Sequence, residues 1–325
     1  MLNRKLISLK DSALRALEDY LDVRKGESVL LVYDSFTRDI ADGFYLAAKD
    51  AGIDMTSLEI KPTGGHGREP DEDVAEQMKK FDIVIAPTQF SLTHTNAAVE
   101  ARKSGARVAT LPGIDLDVFI KGMKTNPSVL ETAGELWCDV LDGRHEIVAT
   151  SGAGTNLKFK IGDYPVHDDN GRIIEAGQYG NLPAGEAFIA PDISTAGGTI
   201  IVDGSIGGLP WDRKTPPAKI ILKDGRIIKF EGERAQALKN LLSPFGDKAF
   251  VLAEFGIGTN PDLELSGNLL GDEKVKGTIH FAFGNNTAMG GDNYVQVHID
   301  CLVIAPDVQI DSRHVMQRGK WLIND

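Results

Sequence analysis

Over roughly the first 125 residues, short apolar runs alternate with segments whose apolar residues recur at helical spacing. That alternation is the pattern of parallel βαβ units. Ser28-Val29-Leu30-Leu31-Val32-Tyr33 reads as a buried strand, and Ile40, Phe44, Ala47, Ala48 and Ala51 place a helix over Asp39 to Ala51 that Gly52 stops. A second strand is expected over Met55 to Ile60. The unit then repeats: a strand at Phe81 to Pro87, a helical stretch ending at Ser104-Gly105, and a strand at Ala106 to Leu111. Pro127 to Val148 reads as one further helix.

Beyond it the texture changes to short β-rich segments with frequent glycine. Leu157-Lys158-Phe159-Lys160-Ile161 alternates apolar and polar as a half-buried strand does. Asp224-Gly225, between Lys219-Ile220-Ile221-Leu222 and Ile227-Ile228-Lys229-Phe230, is a hairpin signal, and Arg318-Gly319 suggests another near the end. The pattern therefore predicts an α/β plus β protein. A Rossmann-like α/β domain is expected over residues 1–148, and a mostly β domain, holding whatever chemistry the chain has, over residues 149–325.

Composition narrows the function classes. The chain has 325 residues, 42% hydrophobic and 25% charged, which suits a folded core and neither disorder nor a membrane protein. A net charge of -12 repels phosphate backbones and anionic lipid, so neither nucleic acid nor membrane is an expected partner. Cys138 and Cys301 form no close pair and read as buried thiols in a reducing compartment. No signal-peptide core and no apolar run long enough to span a bilayer is visible, which makes cytoplasmic residence the expectation. The turn after the first strand, Asp34-Ser35-Phe36-Thr37-Arg38, lacks G-x-G-x-x-G, so a dinucleotide is not expected. The loop Pro62 to Arg68 is either a ligand contact at a sheet edge or a glycine-rich surface connection.

Candidate chemistry concentrates in the second half. Tyr294 to Asp300 reads as a strand, which aims His298 and Asp300 at the same side. Such a pair chelates a divalent metal, although a buried Asp–His hydrogen bond or two solvent-facing residues give the same pattern. His280 lies in an apolar strand-like run, Gly277 to Gly284. Glu254 follows the apolar run Phe250-Val251-Leu252, and a carboxylate there needs a cation, a basic partner or an exposed strand end. The glycines after it suit a tight turn, and Glu186 precedes another short apolar run. Two imidazoles and three carboxylates form a hard-to-borderline ligand set, which points to a catalytic rather than a structural metal site. Tyr294 is a candidate proton donor or a plain strand aromatic.

The segments Gly154-Thr155-Asn156-Leu157, Leu182-Pro183-Ala184-Gly185-Glu186, Glu254 to Pro261, Gly267 to Lys274, Gly277-Thr278-Ile279-His280 and His298-Ile299-Asp300 resemble, in this order, the thermophilic metalloaminopeptidases related to aminopeptidases T and S. The resemblance implies a metal-dependent hydrolase that removes N-terminal residues from short peptides and works as a homodimer. It implies two divalent ions, Zn, Co or Mn, held by Glu186, Glu254, His280, His298 and Asp300. The sequence departs from that family at Thr287, where a Tyr ligand is expected, and in the short spacing from His280 to His298. A related branch resembles ring-opening dioxygenases of hydroxypyridine breakdown, in which Fe(II) is bound by two His and a carboxylate, here His280, His298 and Asp300. A non-catalytic metal-binding protein is the third reading.

Overall fold

The computed structural model describes residues 2–323. Its strands are β1 (Ser28–Tyr33), β2 (Asp54–Glu59), β3 (Ile83–Ala86), β4 (Arg107–Thr110), β5 (His145–Ser151), β6 (Asn156–Ile161), β7 (His167–Asp169), β8 (Tyr179–Asn181) and β9 (Glu186–Ile189). They continue with β10 (Gly197–Val202), β11 (Ala218–Lys223), β12 (Arg226–Glu231), β13 (Leu252–Gly258), β14 (Ile279–Gly284), β15 (His298–Val303), β16 (Pro306–Ile310), β17 (Arg313–Gln317) and β18 (Lys320–Trp321). Among the described residues the protein is a mixed α/β molecule with three sheets.

Two compact units are formed. One comprises residues up to Leu130 together with Asp169–Ala184, and the other Glu131–Asp168 with the chain from Gly185 onward. This division differs from a single boundary at residue 148. The helix Pro127–Leu141 begins in the first unit and continues from Glu131 in the second, and a later segment supplies a strand to the first.

In the first unit the strand order is β2-β1-β3-β4-β8, and all four pairings are parallel. β1 is buried along its central four positions, because a parallel sheet covered on both faces leaves no side for polar residues. The helix after it runs Arg38–Ala51 and ends at Gly52 in the left-handed region, one residue from the sequence reading at its start. The three-residue strand β8 is too short to show a period, so the pattern did not reveal it.

The second unit is built on two antiparallel sheets, ordered β12-β11-β10-β6-β5-β16-β17-β18 and β15-β14-β13-β9-β7. They share one apolar core in which Phe159 of the first sheet meets Phe255 and Phe281 of the second, centroids 5.1 and 6.0 Å apart. Asp224 and Gly225 both take positive φ, as do Arg318 and Gly319, giving the two expected hairpins. A third, at Asp311-Ser312, has the same geometry without glycine.

Two expected elements are corrected. The helix expected to run to Val148 ends at Leu141; Gly143 breaks it, and His145–Ser151 is a strand whose Ile147 and Ala149 point into the core. The strand expected over Tyr294 to Asp300 begins only at His298 and runs to Val303. Tyr294 sits on the preceding loop, 62% exposed. Both cysteines are free, Cys301 buried in β15 and Cys138 half-buried. Among the described residues, no helix is long and apolar enough to cross a membrane.

Candidate metal centre

Cross-strand partners in an antiparallel sheet point to the same face. The register of the β15-β14-β13-β9 sheet pairs Asp300 with Ala282 and Ala282 with Glu254, His298 with Gly284, His280 with Gly256, and Gly258 with Glu186. One face thus carries Glu186, Glu254, His280, His298 and Asp300, separated by the small residues Gly256, Gly258, Ala282 and Gly284. The other face carries Phe255, Ile257, Phe281, Phe283, Ile299 and Cys301 into the core. The small residues make room for the large ones. A Cβ on Gly256 would lie 2.0 Å from His280 Nε2, so the imidazole rests across a strand position that must stay empty.

Glu254 is therefore not at an exposed strand end, and the glycines after it do not form a turn. The strand continues through Gly258, and Glu254 is buried. Glu186 is likewise buried at the start of β9.

The carboxylate of Glu254 joins two groups. Its Oε1 is 3.0 Å from His280 Nε2, and its Oε2 is 3.2 Å from His298 Nε2. His280 Nε2 also lies 3.3 Å from Glu186 Oε2, and His298 Nε2 lies 3.4 Å from Asp300 Oδ1. Two sets of ligand atoms close enough to hold an ion result: Glu186, Glu254 and His280, and Glu254, His298 and Asp300. The two-His, one-carboxylate set His280, His298 and Asp300 is not one of them. Each set has one imidazole and two carboxylates. Thr287 is exposed, and its amide and hydroxyl bond to Asn285 Oδ1 in a local turn.

Electrostatics follow from crowding. Burial alone would lower the His280 pKa, but hydrogen bonding to Glu254 and the charges of Glu186, Glu254 and Asp300 push it up to about 9. His298, more exposed than His280, is raised well above its usual value by Asp300 and Glu254, which outweigh its partial desolvation. Burial would raise the Glu254 pKa, yet the two imidazoles hold it well below the usual carboxylate range. Without a metal, protonated histidines supply the positive charge that the carboxylates need.

Three neighbours were not among the expected site residues. Lys274, fully buried, places Nζ 3.0 Å from Glu186 Oε1 and 2.6 Å from Glu273 Oε1. Its burial is invisible in the sequence, where Asp272-Glu273-Lys274 looks like a solvated charged turn. Glu273 has its pKa pushed up to about 8, because burial and the carboxylates of Asp300 and Glu186 outweigh the pull of Lys274. His167 stacks on Phe188, centroids 5.1 Å apart, and burial lowers its pKa although Glu254 opposes the shift. Nearby, the buried Asp272 accepts hydrogen bonds from Ser205 Oγ, from Ser266 N and Oγ, and from Gly267 N, which fixes the loop leading to Lys274.

The chain matches the family model NicX, 2,5-dihydroxypyridine 5,6-dioxygenase, over residues 12–323. It belongs to that family. It is 24% identical over 181 residues to the 2,5-dihydroxypyridine 5,6-dioxygenase of Pseudomonas putida strain KT2440, in an alignment covering 52% of each chain, so the match spans about half of that relative's length. The solved structure of 2,5-dihydroxypyridine dioxygenase from P. putida KT2440 is similar over 98% of this chain and 97% of that one, with TM-score 0.81 and 18% identity. Wild-type AmpT from Thermus thermophilus is similar over 98% and 99%, with TM-score 0.72 and 16% identity. At such identities the two structures speak for the fold.

The expectation of a hydrolase is thereby corrected. The fold of the aminopeptidase T relatives is shared, but the family model and the curated relative both name a dioxygenase. Aminopeptidase and metalloprotease do not carry over. The physical reason is that the matching segments build the sheet and its candidate ligand face, which report the fold rather than the reaction.

Proposed function

We propose that this chain is a ring-opening dioxygenase acting on a small hydroxylated pyridine, with Fe(II) held on the ligand face by residues drawn from Glu186, Glu254, His280, His298 and Asp300. The family match over residues 12–323 carries this reading. The residues present fit a divalent ion, because three largely buried carboxylates converge on two imidazoles and call for a cation. The donor set is richer in carboxylate than the two-His, one-carboxylate arrangement that the sequence suggested. Bound Fe(II) would supply oxygen activation at open coordination positions.

The chain's own groups prepare the site. His298 Nδ1 lies 2.7 Å from Asn285 O and donates its proton there, so that when Nε2 gives up its own proton, its lone pair is free for a metal beside Glu254 and Asp300. Glu254 presents one oxygen to each imidazole. The apolar face behind the sheet keeps water from the backs of the ligands.

A Rossmann-like character for the N-terminal parallel sheet, cytoplasmic residence, assembly as a homodimer, and the absence of nucleic-acid and membrane partners belong to the same proposal. Its test is oxygen uptake by anaerobically Fe(II)-loaded protein given 2,5-dihydroxypyridine. Uptake matched by loss of the pyridine absorbance is expected, and it should vanish in His298→Ala. Fully Fe(II)-loaded protein that consumes no oxygen with any hydroxylated pyridine overturns the reading.

A further inference from the structure

The two ligand sets that share Glu254 have the outline of a carboxylate-bridged pair of cation sites, yet their surroundings differ in two independent ways. On the Glu186–Glu254–His280 side a positive charge is already present. Lys274 Nζ is bound to Glu186 Oε1 and Glu273 Oε1, and the side chain is wholly enclosed. Its backbone is fixed as well: Lys274 N donates to Gly271 O, and Lys274 O accepts from Asn260 N at 2.8 Å. A divalent ion on the other oxygen of Glu186 would face that ammonium across a single, largely buried carboxylate group, where the low dielectric leaves the repulsion strong.

The second difference lies in the imidazoles. A metal-binding histidine is normally oriented by a hydrogen bond from its other ring nitrogen. His298 has that bond, to Asn285 O. His280 does not: its Nδ1 is buried with no partner among the described residues. The Glu254–His298–Asp300 side is prepared for an ion, and the Glu186–Glu254–His280 side is not.

We propose that Lys274 is the resident second cation of this centre: its ammonium stands in for a second metal ion and limits the cluster to one divalent ion per chain. The proposal rests on the metal-centre reading above and adds a role for a residue outside the ligand set. Lys274 is a specificity-determining residue for metal number. It places its charge through hydrogen bonds to two carboxylates, and unlike an ion it cannot exchange with solvent.

The experiment counts metal. Full-length protein, stripped by chelation, is titrated anaerobically with Co(II) by calorimetry, and bound metal is measured by elemental analysis after desalting. One Co(II) per chain is expected in the parent. Lys274→Met should bind two, with second-ion affinity raised roughly 100-fold over the parent, and Lys274→Met/Glu186→Gln should return to one. A parent that binds two ions tightly, or a folded Lys274→Met that binds one, overturns the role of Lys274 while leaving the metal centre intact. A parent that binds none overturns the metal centre itself. Because Lys274→Met strands two buried carboxylates, Lys274→Met/Glu273→Gln is counted beside it, with near-ultraviolet circular dichroism confirming the fold. If neither variant folds, the parent count decides: one ion with no second under about 100-fold excess Co(II) supports the proposal, and two overturn it.

Discussion

Gly256→Ala perturbs the centre without changing any side chain that bears a donor atom. Gly256 has no left-handed backbone angle, so alanine suits its strand conformation and the cost is purely steric. The added Cβ would lie 2.0 Å from His280 Nε2 and 2.2 Å from Cε1. Ordinary carbon contacts are near 3.5 Å, so the ring must retreat by about 1.5 Å. It has nowhere to go at constant rotamer, being 1% exposed. The 3.0 Å bond to Glu254 is then lost, which costs about 1.5–3 kcal/mol for a charged pair, and overpacking adds about 1–3 kcal/mol. Together a destabilisation of roughly 3–5 kcal/mol is expected in the metal-free protein. Urea denaturation beside Gly197→Ala, whose Cβ would meet nothing closer than 3.9 Å, provides the measurement. A Gly256→Ala midpoint within the scatter of that control, with metal affinity unchanged, refutes the account of how the imidazole is housed.

Further outcomes follow from the same structure. Asp272→Asn keeps the shape but removes acceptor capacity from a fully buried carboxylate, so thermal denaturation should show a loss of about 1–3 kcal/mol; a neutral result would mean that its four donors find other partners. The imidazoles must be neutral to bind metal, and His280 titrates near 9 and His298 above its usual value, so Co(II) affinity should climb between pH 6 and 8 with protons released. Calorimetry showing pH-independent affinity over that range would contradict it. In the chelated protein the sign reverses: a folded pKa above the unfolded value of about 6.5 gives stability that is present below pH 6.5 and lost as pH rises toward 9. His145, raised by its hydrogen bond to Asp311, should behave likewise, so the melting difference between parent and His145→Gln should shrink as pH rises above neutrality; a difference that grows instead would reject the pairing.

Much of the site was legible because donor residues at spacing two in strand-like runs can be recognised without coordinates. His298 and Asp300 share a face as alternation requires, and Ile299 faces the core. Other features had no local signal. The end of the helix at Leu141 was hidden because Ile147 and Val148 lie seven residues after Val140 and Leu141, a spacing a helix would also give, although Asp142 to Glu146 between them is wholly polar or glycine. Lys274 was hidden because nothing in a charged triplet says that it folds inward. The chemistry was misassigned for a related reason: the segments that carry the resemblance build the sheet and its candidate ligand face, so they report the shared fold more readily than the reaction.

Glu254 shows how far local pattern can mislead about direction. In an unbroken strand, Leu252, Glu254 and Gly256 lie on one side, and Leu252 packs into the apolar core opposite Phe283. Glu254 on that side would face Phe281 and Phe283, an environment with nothing to neutralise it. The register instead shifts between Leu252 and Glu254: Leu252 pairs with Phe283 and Glu254 with Ala282, leaving Ala253 as an extra residue. That bulge reverses the facing of everything after it, which turns Glu254, Gly256 and Gly258 toward the ligand face and Phe255 and Ile257 toward the core. The same one-residue insertion therefore satisfies both demands on β13, an apolar start against the core and a carboxylate placed between two imidazoles. The energetic logic runs from the core outward: burying Leu252, Phe255 and Ile257 on one side fixes the register, and the register delivers Glu254 to both His280 and His298.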